Sequence, residues 1–365
     1  MKLLFCLNSA PEFAGVQQYI LTITKELKSK GFIPIIWMND NEPFQRKLLE
    51  NKIEYYRYDG SILALKNIWQ LMQIIRRHQI KIVHANLGGA AIAGALIKYF
   101  SGIKTLVYTQ HFINPASTQG GFIKKIISKI VFKLTFVHYD SVIAISSEVR
   151  NSILKRRETS ANKVILVYSG IKGIQGKKNI TDLMDILIVS RLEKEKGIDK
   201  LLPVLWTLYQ DGYDFSVTIV GDGGQEKILK EMSFHLGMQS KINFIGKVND
   251  VSPYYLNSGI FVNPTFFEGF GLAIVEAMSA QLPVIAFNKG GPVDIIDHNK
   301  TGYLAESYEE FGTYLKQLLK NPELATKMGV AGYERFKDLF VVDKMMEQLL
   351  KIYGILPKQK NEGEA

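Results

Sequence analysis

Residues 263–278, which read NPTFFEGFGLAIVEAM, join a predicted strand to a predicted helix through a glycine-containing turn. Gly269 and Gly271 carry no Cβ atom, so the backbone of this turn can approach a ligand closely. We expect the helix to begin near Phe270 and to direct its free N–H groups and the positive end of its dipole at the same space. In parallel α/β sheets, ligands bind at this position, beyond the carboxyl ends of the strands.

Two carboxylates lie eight positions apart in this stretch. Glu268 precedes the predicted helix, and Glu276 follows about 12 Å along it at roughly 1.5 Å per residue. Carboxylates so spaced cannot share a proton, but they can bind hydroxyl groups at the two ends of an extended ligand. The alternative is that Glu268 complements the helix dipole while Glu276 faces solvent. The apolar neighbours of Glu276 favour ligand binding, because a carboxylate among apolar residues needs a partner.

A pair of cations follows an earlier predicted strand. Arg191 lies at the end of that strand, and Lys196 comes five residues later, just before a predicted helix. Two cations beside the start of a helix form a natural binding site for a diphosphate. Taken alone, such a pair is more often part of a solvated basic loop.

Short apolar runs alternate with amphipathic stretches along the chain, which predicts an α/β fold with parallel sheets covered by helices. At 365 residues the chain is long enough for about two domains. Segment 169–178 has three glycines, three lysines and no apolar period, which is typical of a linker. We expect an N-terminal domain at 1–170, a C-terminal domain at 171–340, and a helix with a polar tail at 341–365, the helix packing back towards the N-terminal domain.

The predicted elements form two series, one on each side of the linker. Strands of the first series are predicted at Leu3–Leu7, Ile33–Met38, Ile80–His84, Thr105–Thr109, Ser141–Ile145 and Val164–Val167. Strands of the second series are predicted at Leu183–Val189, Phe215–Val220, Ile242–Ile245, Ile260–Val262 and Pro283–Ala286. Helices are predicted at Val16–Lys28, Ile62–His78, Ala90–Tyr99, Ile123–Val137, Glu148–Arg156, Lys200–Tyr209 and Glu226–Leu236.

Composition excludes several classes of protein. Hydrophobic residues make up 47% of the chain and charged residues 22%, which excludes a largely disordered chain. The single cysteine, Cys6, can form neither an internal disulfide nor a cysteine-based zinc site. No apolar run approaches the roughly 18 residues of a transmembrane helix, and residues 1–7 are too few for a signal peptide. The formal charge of +10 indicates an anionic partner, namely a nucleotide, a nucleic acid or an anionic membrane.

The motifs together resemble family 4 (GT4) of the retaining glycosyltransferases. Glu268 and Glu276 form the E-x7-E motif of that family, and Arg191 and Lys196 lie in its upstream Ser-Arg-Leu-x-x-x-Lys-Gly-like segment. The resemblance covers nearly the whole chain and is strongest at 263–304. It implies the GT-B fold, in which two facing Rossmann-like domains enclose a cleft. The acceptor would bind to the first domain, and the nucleotide sugar mostly to the second.

The resemblance implies a role for each donor-side residue. Arg191 and Lys196 would bind the donor diphosphate, and Glu276 would bind the ribose hydroxyls. Glu268 would contact the donor sugar as a catalytic residue. The backbone near the sugar and phosphate would be that of Gly269, Phe270, Gly271 and Leu272. The nucleobase would lie near Phe244 and Gly246.

In the N-terminal domain the resemblance points to a loop and a histidine. Segment 11–16 occupies the position of the family's glycine-rich loop, and Gly15 retains the second of its two glycines, so Gly15 would contact the donor diphosphate. His111 follows a predicted strand and matches the family's catalytic histidine. His84 also ends a predicted strand, and we interpret it as structural.

The implied activity is hexosyl transfer from a UDP- or GDP-sugar to a saccharide or lipid-linked acceptor, with retention of anomeric configuration. By resemblance it would serve bacterial surface polysaccharide assembly (capsule, O-antigen or lipopolysaccharide) in the cytoplasm, at the inner face of the membrane. No Asp-x-Asp follows a predicted strand, so we expect no metal and no other cofactor. Arg191 and Lys196 would supply the positive charge instead.

Segment 121–134 is basic and amphipathic, which leaves two interpretations open. Lys125, Lys129 and Lys133 recur every four residues, and Lys124 adds a fourth cation. Such a helix can lie on an anionic membrane. It can equally pack on its own sheet and direct a lysine face at solvent.

Two other functions compete with glycosyl transfer. A non-catalytic nucleotide- or nucleic-acid-binding protein would fit the charge, but the lysines are spread along the chain. No helix-turn-helix, RRM or zinc pattern is present, so we expect no nucleic-acid partner. The second alternative is a GT-B epimerase or phosphorylase. The E-x7-E spacing favours a transferase over this alternative. Thermal stabilisation by UDP or GDP, but not by oligonucleotides, would distinguish a nucleotide-sugar enzyme from a nucleic-acid-binding protein.

Overall fold

The computed structural model describes residues 1–8, 15–113, 122–176, 178 and 185–356. Several expected features lie outside these residues: the loop at 11–14, Gly121, Lys177 of the linker, the start of the strand predicted from Leu183, and the polar tail after Leu356. Within the described residues the chain forms two compact α/β units, each built on a parallel sheet. Unit 1 is Met1–Gly170 with the chain from Val342, and unit 2 is Ile171–Val341.

The strands of each unit form one parallel sheet. In the described residues of unit 1 the order is β3-β2-β1-β4-β5-β6-β7, and in those of unit 2 it is β10-β9-β8-β11-β12-β13. The unit 1 strands are β1 (Lys2–Leu7), β2 (Ile33–Asn39), β3 (Glu54–Tyr58), β4 (Ile82–Asn86), β5 (Thr105–Gln110), β6 (Ser141–Ala144) and β7 (Val164–Leu166). The unit 2 strands are β8 (Asp185–Val189), β9 (Ser216–Val220), β10 (Ile242–Gly246), β11 (Ile260–Asn263), β12 (Val284–Phe287) and β13 (Gly302–Ala305).

Helices connect the strands. Those of unit 1 are α1 (Gly15–Ser29), α2 (Glu42–Glu50), α3 (Leu65–His78), α4 (Gly88–Ile97), α5 (Phe122–Phe136), α6 (Ser147–Arg156) and α14 (Val342–Ile352). Those of unit 2 are α7 (Ile198–Gln210), α8 (Glu226–His235), α9 (Ser252–Asn257), α10 (Leu272–Ser279), α11 (Pro292–Ile295), α12 (Tyr308–Lys320) and α13 (Pro322–Leu339). None of the helices in the described ranges is long and apolar enough to span a bilayer.

The sheet of unit 1 is buried on both faces. Leu4 and Cys6 point into one core cluster, which α3, α4, α5 and α6 cover, and Leu3 and Phe5 point into a second, which α1, α2 and α14 cover. A strand covered on both faces is apolar along its whole length, which is why 3–7 reads as a continuous apolar run.

The order of strands in unit 2 reverses between β8 and β11. From β8 the chain proceeds outward through β9 and β10, then returns to place β11 on the other side of β8 and proceeds outward again. Ile186 pairs with Ile260, so the two strands run side by side to the same edge of the sheet. Such a switch point is where open α/β sheets bind ligands. The residues that follow β8 and β11 therefore lie at the favoured position.

The α/β prediction is confirmed, with differences at strand positions. The strand predicted at Ile80–His84 lies at Ile82–Asn86, and β3 and β13 were not predicted. Both missed strands lie at sheet edges. An edge strand lacks a neighbour on one side and can carry polar residues, as the sequence EYYRY of β3 does, so it gives no continuous apolar signal.

The final helix completes the core of unit 1. Met345 and Leu349 are buried in the same cluster as Leu3 and Phe5, although more than 300 residues separate them in sequence. Leu349→Ala should therefore destabilise unit 1 by about 2–5 kcal/mol, because it leaves a cavity in that core.

Hydrogen exchange by mass spectrometry measures this effect unit by unit. Amides of β1 should lose protection in Leu349→Ala, whereas those of β8 should keep theirs. The control Val330→Ala, on the exposed surface of α13, should change stability by less than about 0.5 kcal/mol. Equal protection of β1 in both variants would contradict the assignment of α14 to unit 1.

Candidate functional site

The loop after β8 carries both predicted cations. The Arg191 guanidinium lies 3.3 Å from the Glu195 carboxylate on the exposed side of this loop. Lys196 ends a short 3-10 turn, and Gly197, with φ of 69°, begins the turn into α7. Both cations thus lie between the end of β8 and the start of α7.

The turn after β9 packs against this loop. Gly221 and Gly223 have φ of 138° and 156°, and a Cβ atom on Gly221 would collide with the carbonyl oxygen of Ser190. The Leu192 N–H donates a hydrogen bond to the Asp222 carbonyl oxygen (2.7 Å). The Gly-Asp-Gly turn therefore positions the backbone on either side of Arg191.

The loop after β11 meets the loop after β8 through an ion pair. The Lys196 ammonium donates to the Glu268 carboxylate, with 2.8 Å between Nζ and Oε2. The side chains are 17% and 22% exposed, so the pair is largely shielded from water. This contact joins two sequence motifs that are 72 residues apart.

Two glycines after β12 hold the Glu268 loop in place. The Gly291 N–H donates to the Glu268 carbonyl oxygen (2.9 Å). A Cβ atom on Gly290 would collide with that same oxygen, and one on Gly291 would collide with the carbonyl of Phe270. The two backbone segments therefore lie in direct contact with no side chain between them.

The helix that follows the Glu268 loop begins later than predicted. It starts at Leu272, after Gly271 with φ of 106°, and no described side chain caps it. Phe270 is buried and its ring packs against Phe340, so only its backbone can face a ligand. Gly269 lies between these residues and Glu268, and its backbone belongs to the same turn.

Glu276 has the partner that its apolar surroundings require. The buried Tyr255 hydroxyl donates to Oε2 of Glu276 at 2.9 Å. Burial raises the pKa of Glu276 to about 7, and the hydrogen bond from Tyr255 opposes that rise. Near neutral pH this carboxyl group is therefore close to its midpoint of ionisation, and a new hydrogen-bond donor can shift it.

His111 follows β5 in unit 1 and is buried. Its Nε2 lies 2.9 Å from the Asn86 side-chain oxygen, and its ring makes a T-shaped contact with the Tyr19 ring. Burial lowers the pKa of His111 to about 3, so the imidazole is neutral. Because Asn86 Oδ1 can only accept, Nε2 carries the proton and Nδ1 is an acceptor.

His84 engages both ring nitrogens within the core of unit 1. Nδ1 lies 2.7 Å from the Tyr353 hydroxyl, and Nε2 lies 2.6 Å from the Thr109 hydroxyl. Burial lowers the pKa of His84 to about 3. The side chain therefore links the residue that follows α14 to β4 and β5, as a structural residue would.

The remaining candidates occupy defined positions. Gly15 is the exposed first residue of α1. Gly246 ends β10 with φ of 78°, and its carbonyl oxygen accepts from the Gly221 N–H at 2.9 Å. Phe244 is partly buried, with the Lys230 ammonium 5.8 Å from its ring centre.

The candidates divide between the two units. In unit 2, Arg191, Lys196, Glu268 and the start of α10 lie at the carboxyl edge of the sheet, with Glu276 further along α10. His111 and Gly15 lie in unit 1.

Two family models together match residues 13–335 of the chain. The model "Glycosyltransferase Family 4" matches residues 13–172, and the model "Glycosyl transferases group 1" matches residues 172–335. The chain belongs to glycosyltransferase family 4. It is therefore a glycosyltransferase.

Individual glycosyltransferases are similar to this chain over most of their length. A glycosyltransferase of Haemophilus influenzae is 25% identical, over 95% of this chain and 98% of the relative. The capsular polysaccharide biosynthesis glycosyltransferase CapM of Staphylococcus aureus is 23% identical, over 82% of this chain and 83% of the relative. The crystal structure of Anabaena HepE in complex with UDP superimposes with a TM-score of 0.83 at 19% identity, over 98% of this chain and 100% of HepE. This likeness shows the GT-B fold of two Rossmann-like domains.

In this family 4 enzyme the structure adds residues that the sequence did not reveal. The Tyr308 hydroxyl donates to the Pro264 carbonyl oxygen (2.9 Å) and lies 3.3 Å from that of Gly197. Burial, with nearby Asp199, raises the pKa of Tyr308 to about 12, so the hydroxyl keeps its proton. Tyr308 thereby joins the loops that carry Lys196 and Glu268.

No local pattern in the sequence marks these partners. Tyr308 and Tyr255 lie in helices, and only the fold brings their hydroxyls to the loops. Asn86 could have been found, because it is a polar residue at the end of a buried strand, the same criterion that identified His111.

The contact at Gly290 generates a prediction. Gly290→Ala should destabilise unit 2 more than Gly237→Ala does, although both glycines have a positive φ, 77° and 67°. Nothing lies within 4 Å of a Cβ atom on Gly237, so that variant pays only the roughly 1–2 kcal/mol of the left-handed backbone. The collision with Glu268 should add about 1–3 kcal/mol to Gly290→Ala.

Denaturant unfolding of both variants tests this difference. Equal losses of stability would mean that the two loops can separate without cost.

Proposed function

We propose that this enzyme transfers a hexosyl group, with retention of configuration and without a metal ion, from a UDP- or GDP-sugar to a saccharide or lipid-linked acceptor. The pathway that we propose is assembly of a bacterial surface polysaccharide such as capsule, O-antigen or lipopolysaccharide. The observation that carries the proposal is the Lys196–Glu268 pair at the strand switch point of unit 2. The same two loops carry Arg191 and lead into α10, whose start no described side chain caps.

The diphosphate of the donor would bind to the cations of this edge. Arg191 and Lys196 supply two positive charges, and the start of α10 adds the partial charge of a helix dipole. The backbone from Gly269 to Leu272 offers N–H groups to the same anion, and Gly15 contacts it from unit 1. When the diphosphate binds Lys196, it competes with Glu268 for the ammonium group. Glu268 is then available to a hydroxyl of the donor sugar.

The nucleoside would extend along unit 2 from the diphosphate. Glu276 accepts hydrogen bonds from the ribose hydroxyls, since its carboxylate lies further along α10. The nucleobase lies near Phe244 and Gly246. The support for this direction is the order of the residues along the edge, because Gly246 contacts the Gly221 turn beneath the Arg191 loop.

The chemical step would depend on stabilising the leaving group. The bond between the sugar C1 and the phosphate oxygen breaks, and the acceptor oxygen bonds to C1 from the same face. The acceptor proton passes to the departing phosphate oxygen. Arg191 and Lys196 stabilise the charge that develops on that oxygen. His111 is neutral, so it acts as a hydrogen-bonding group for the donor sugar and not as a cation.

Relatives support the substrate classes in this proposal. HepE was crystallised with UDP, and CapM is named for capsular polysaccharide biosynthesis. A lipid-linked acceptor would place the reaction in the cytoplasm at the inner face of the membrane. Lys124, Lys125, Lys129 and Lys133 are the residues we propose for contact with that membrane, and the side chain of Lys124 lies outside the described part of the structure.

The direct test is a panel of nucleotide sugars, screened for binding and for slow hydrolysis in the absence of acceptor. We expect one UDP- or GDP-sugar to be hydrolysed with release of the nucleoside diphosphate. Binding without hydrolysis or transfer of any donor would contradict the proposed reaction.

Glu276→Ala should weaken nucleotide binding by about 1.5–3 kcal/mol, because charge-assisted hydrogen bonds to the ribose are lost. The pH dependence gives a sharper test. The free carboxyl has a pKa of about 7, and ribose donors stabilise its ionised form, so its pKa falls when nucleotide binds. Affinity should therefore level off above pH 7 and fall by up to about tenfold for each pH unit below it.

Glu276→Gln is the control for this titration. The nucleotide's own phosphate titrates equally with both proteins, so the ratio of their affinities isolates Glu276. A ratio that stays constant from pH 5 to 8 in calorimetry would remove Glu276 from the ribose site.

Metal independence has its own test. Transfer should continue in EDTA, because Arg191 and Lys196 supply the charge that a divalent ion would otherwise provide. The same preparation, assayed with EDTA and then with excess Mg²⁺ or Mn²⁺, gives the comparison. Loss of turnover in EDTA with recovery on adding metal would overturn the metal-free proposal and leave the glycosyl transfer itself intact.

A further inference from the structure

Helix α5 carries a set of exposed aliphatic side chains. Six aliphatic side chains on it are between 37% and 73% exposed. At about 100° per residue they fall on one arc of roughly 140° around the helix. This aliphatic face consists of Ile123, Ile126, Ile127, Ile130, Val131 and Leu134.

The opposite side of α5 already packs against unit 1. Phe136 is fully buried, and its ring contacts those of Tyr108 and Tyr139. Phe132 also contacts the Phe136 ring and lies against Gly88. Packing on the sheet therefore uses the aromatic residues and leaves the aliphatic face without a partner among the described residues. Of the two interpretations left open by the sequence, the sheet-packing one does not account for this face.

Exposed lysines begin at one edge of the aliphatic face, with Lys133 next to it and Lys129 and Lys125 progressively further around the helix. Lys125, Lys129 and Lys133 are exposed and follow one another at intervals of four residues. No residue of α5 is acidic. The surface thus combines an apolar centre with a cationic edge, which is the pattern of a helix that lies in a membrane interface.

The net positive charge of the chain comes from unit 1, the unit that contains α5. Unit 1 has 27 Lys and Arg residues against 14 Asp and Glu, a net charge of +13, whereas unit 2 has 18 against 21, a net charge of −3. Between residues 60 and 139 there are ten Lys and Arg residues and no acid. An anionic surface would therefore attract unit 1 as a whole, and the segment around α5 most strongly.

We propose that α5 lies in the headgroup region of an anionic bilayer, with the aliphatic face inserted and the three lysines at the level of the lipid phosphates. A second copy of the chain is a poorer partner, because it would set two rows of lysines against each other. A nucleic acid would leave the aliphatic face uncovered. The inference deepens the proposed function, since it names the surface on which a lipid-linked acceptor would meet the enzyme, but binding to lipid does not require catalysis.

Sedimentation with vesicles tests the electrostatic part. At low salt, wild-type protein should sediment with vesicles of phosphatidylcholine that contain about 40 mol% phosphatidylglycerol. It should sediment much less with vesicles of phosphatidylcholine alone. Replacing Lys125, Lys129 and Lys133 by Gln should lower partitioning about a hundredfold, because each lysine near an anionic surface contributes about fivefold.

The matched control carries the same change of net charge elsewhere. Lys25, Lys30 and Lys52 are exposed residues in and around the helices on the other face of the sheet. Their triple replacement by Gln should leave most of the vesicle binding intact. Equal losses in the two triple variants would show that net charge alone, and not α5, governs binding.

The aliphatic part needs a salt-independent measurement. Replacing Ile127, Ile130 and Leu134 by Gln should abolish the binding that remains in high salt, where lysine contributions are screened. Residues Ile228, Phe234 and Val330 of unit 2 are similarly exposed, and their replacement by Gln is the control. In addition, Ile130→Trp should show a blue shift of its emission with vesicles, and Ile228→Trp should show none.

Three results would overturn the proposal. The proposal is wrong if wild-type protein stays in the supernatant with anionic vesicles at low salt. An Ile130→Trp emission that vesicles leave unchanged would exclude insertion. A dimer that the α5 Gln variant dissociates, seen by analytical ultracentrifugation without vesicles, would assign the face to a second copy. Hydrolysis of the nucleotide sugar, measured without vesicles, separates each of these failures from a failure of the proposed reaction.

Discussion

The binding edge of unit 2 depends on backbone segments that touch with no side chain between them. Gly221 lies directly against Ser190, and Gly290 lies directly against Glu268. These contacts hold both loops in place at the edge of the sheet. Lys196 and Glu268 therefore come within hydrogen-bond distance, although they follow different strands. The side chains that could do chemistry are therefore positioned by residues that have no side chain.

Burial favours the neutral form of one candidate residue in each unit. It raises the pKa of Glu276 and lowers that of His111, so each group is driven towards its neutral form. Lys196 and Glu268 form an ion pair, in which the two opposite charges offset one another. In the free protein the charges at these positions are thus largely compensated, and an anion that binds at Lys196 must displace an existing partner.

The sequence predicts the central strands of each sheet, but not the direction in which a helix faces. Central strands such as β1 are apolar throughout and are easily recognised, whereas the edge strands β3 and β13 are not. Arg191 and Glu268 could be identified because each lies in the loop that follows a strand, whereas Tyr308 acts from a distant helix that no local pattern connects to them. Periodicity showed which residues of α5 share a face, and only the structure showed that this face is the outer one.

Because α14 belongs to unit 1, the chain leaves that unit after Gly170 and returns to it only at Val342. During synthesis, unit 2 is a continuous segment and is complete as soon as Val341 has emerged from the ribosome. Unit 1 then still lacks Met345 and Leu349, which close the apolar cluster beneath β1. Part of one face of the unit 1 sheet is therefore covered only after unit 2 has been made, and the nascent chain exposes that part until α14 has emerged.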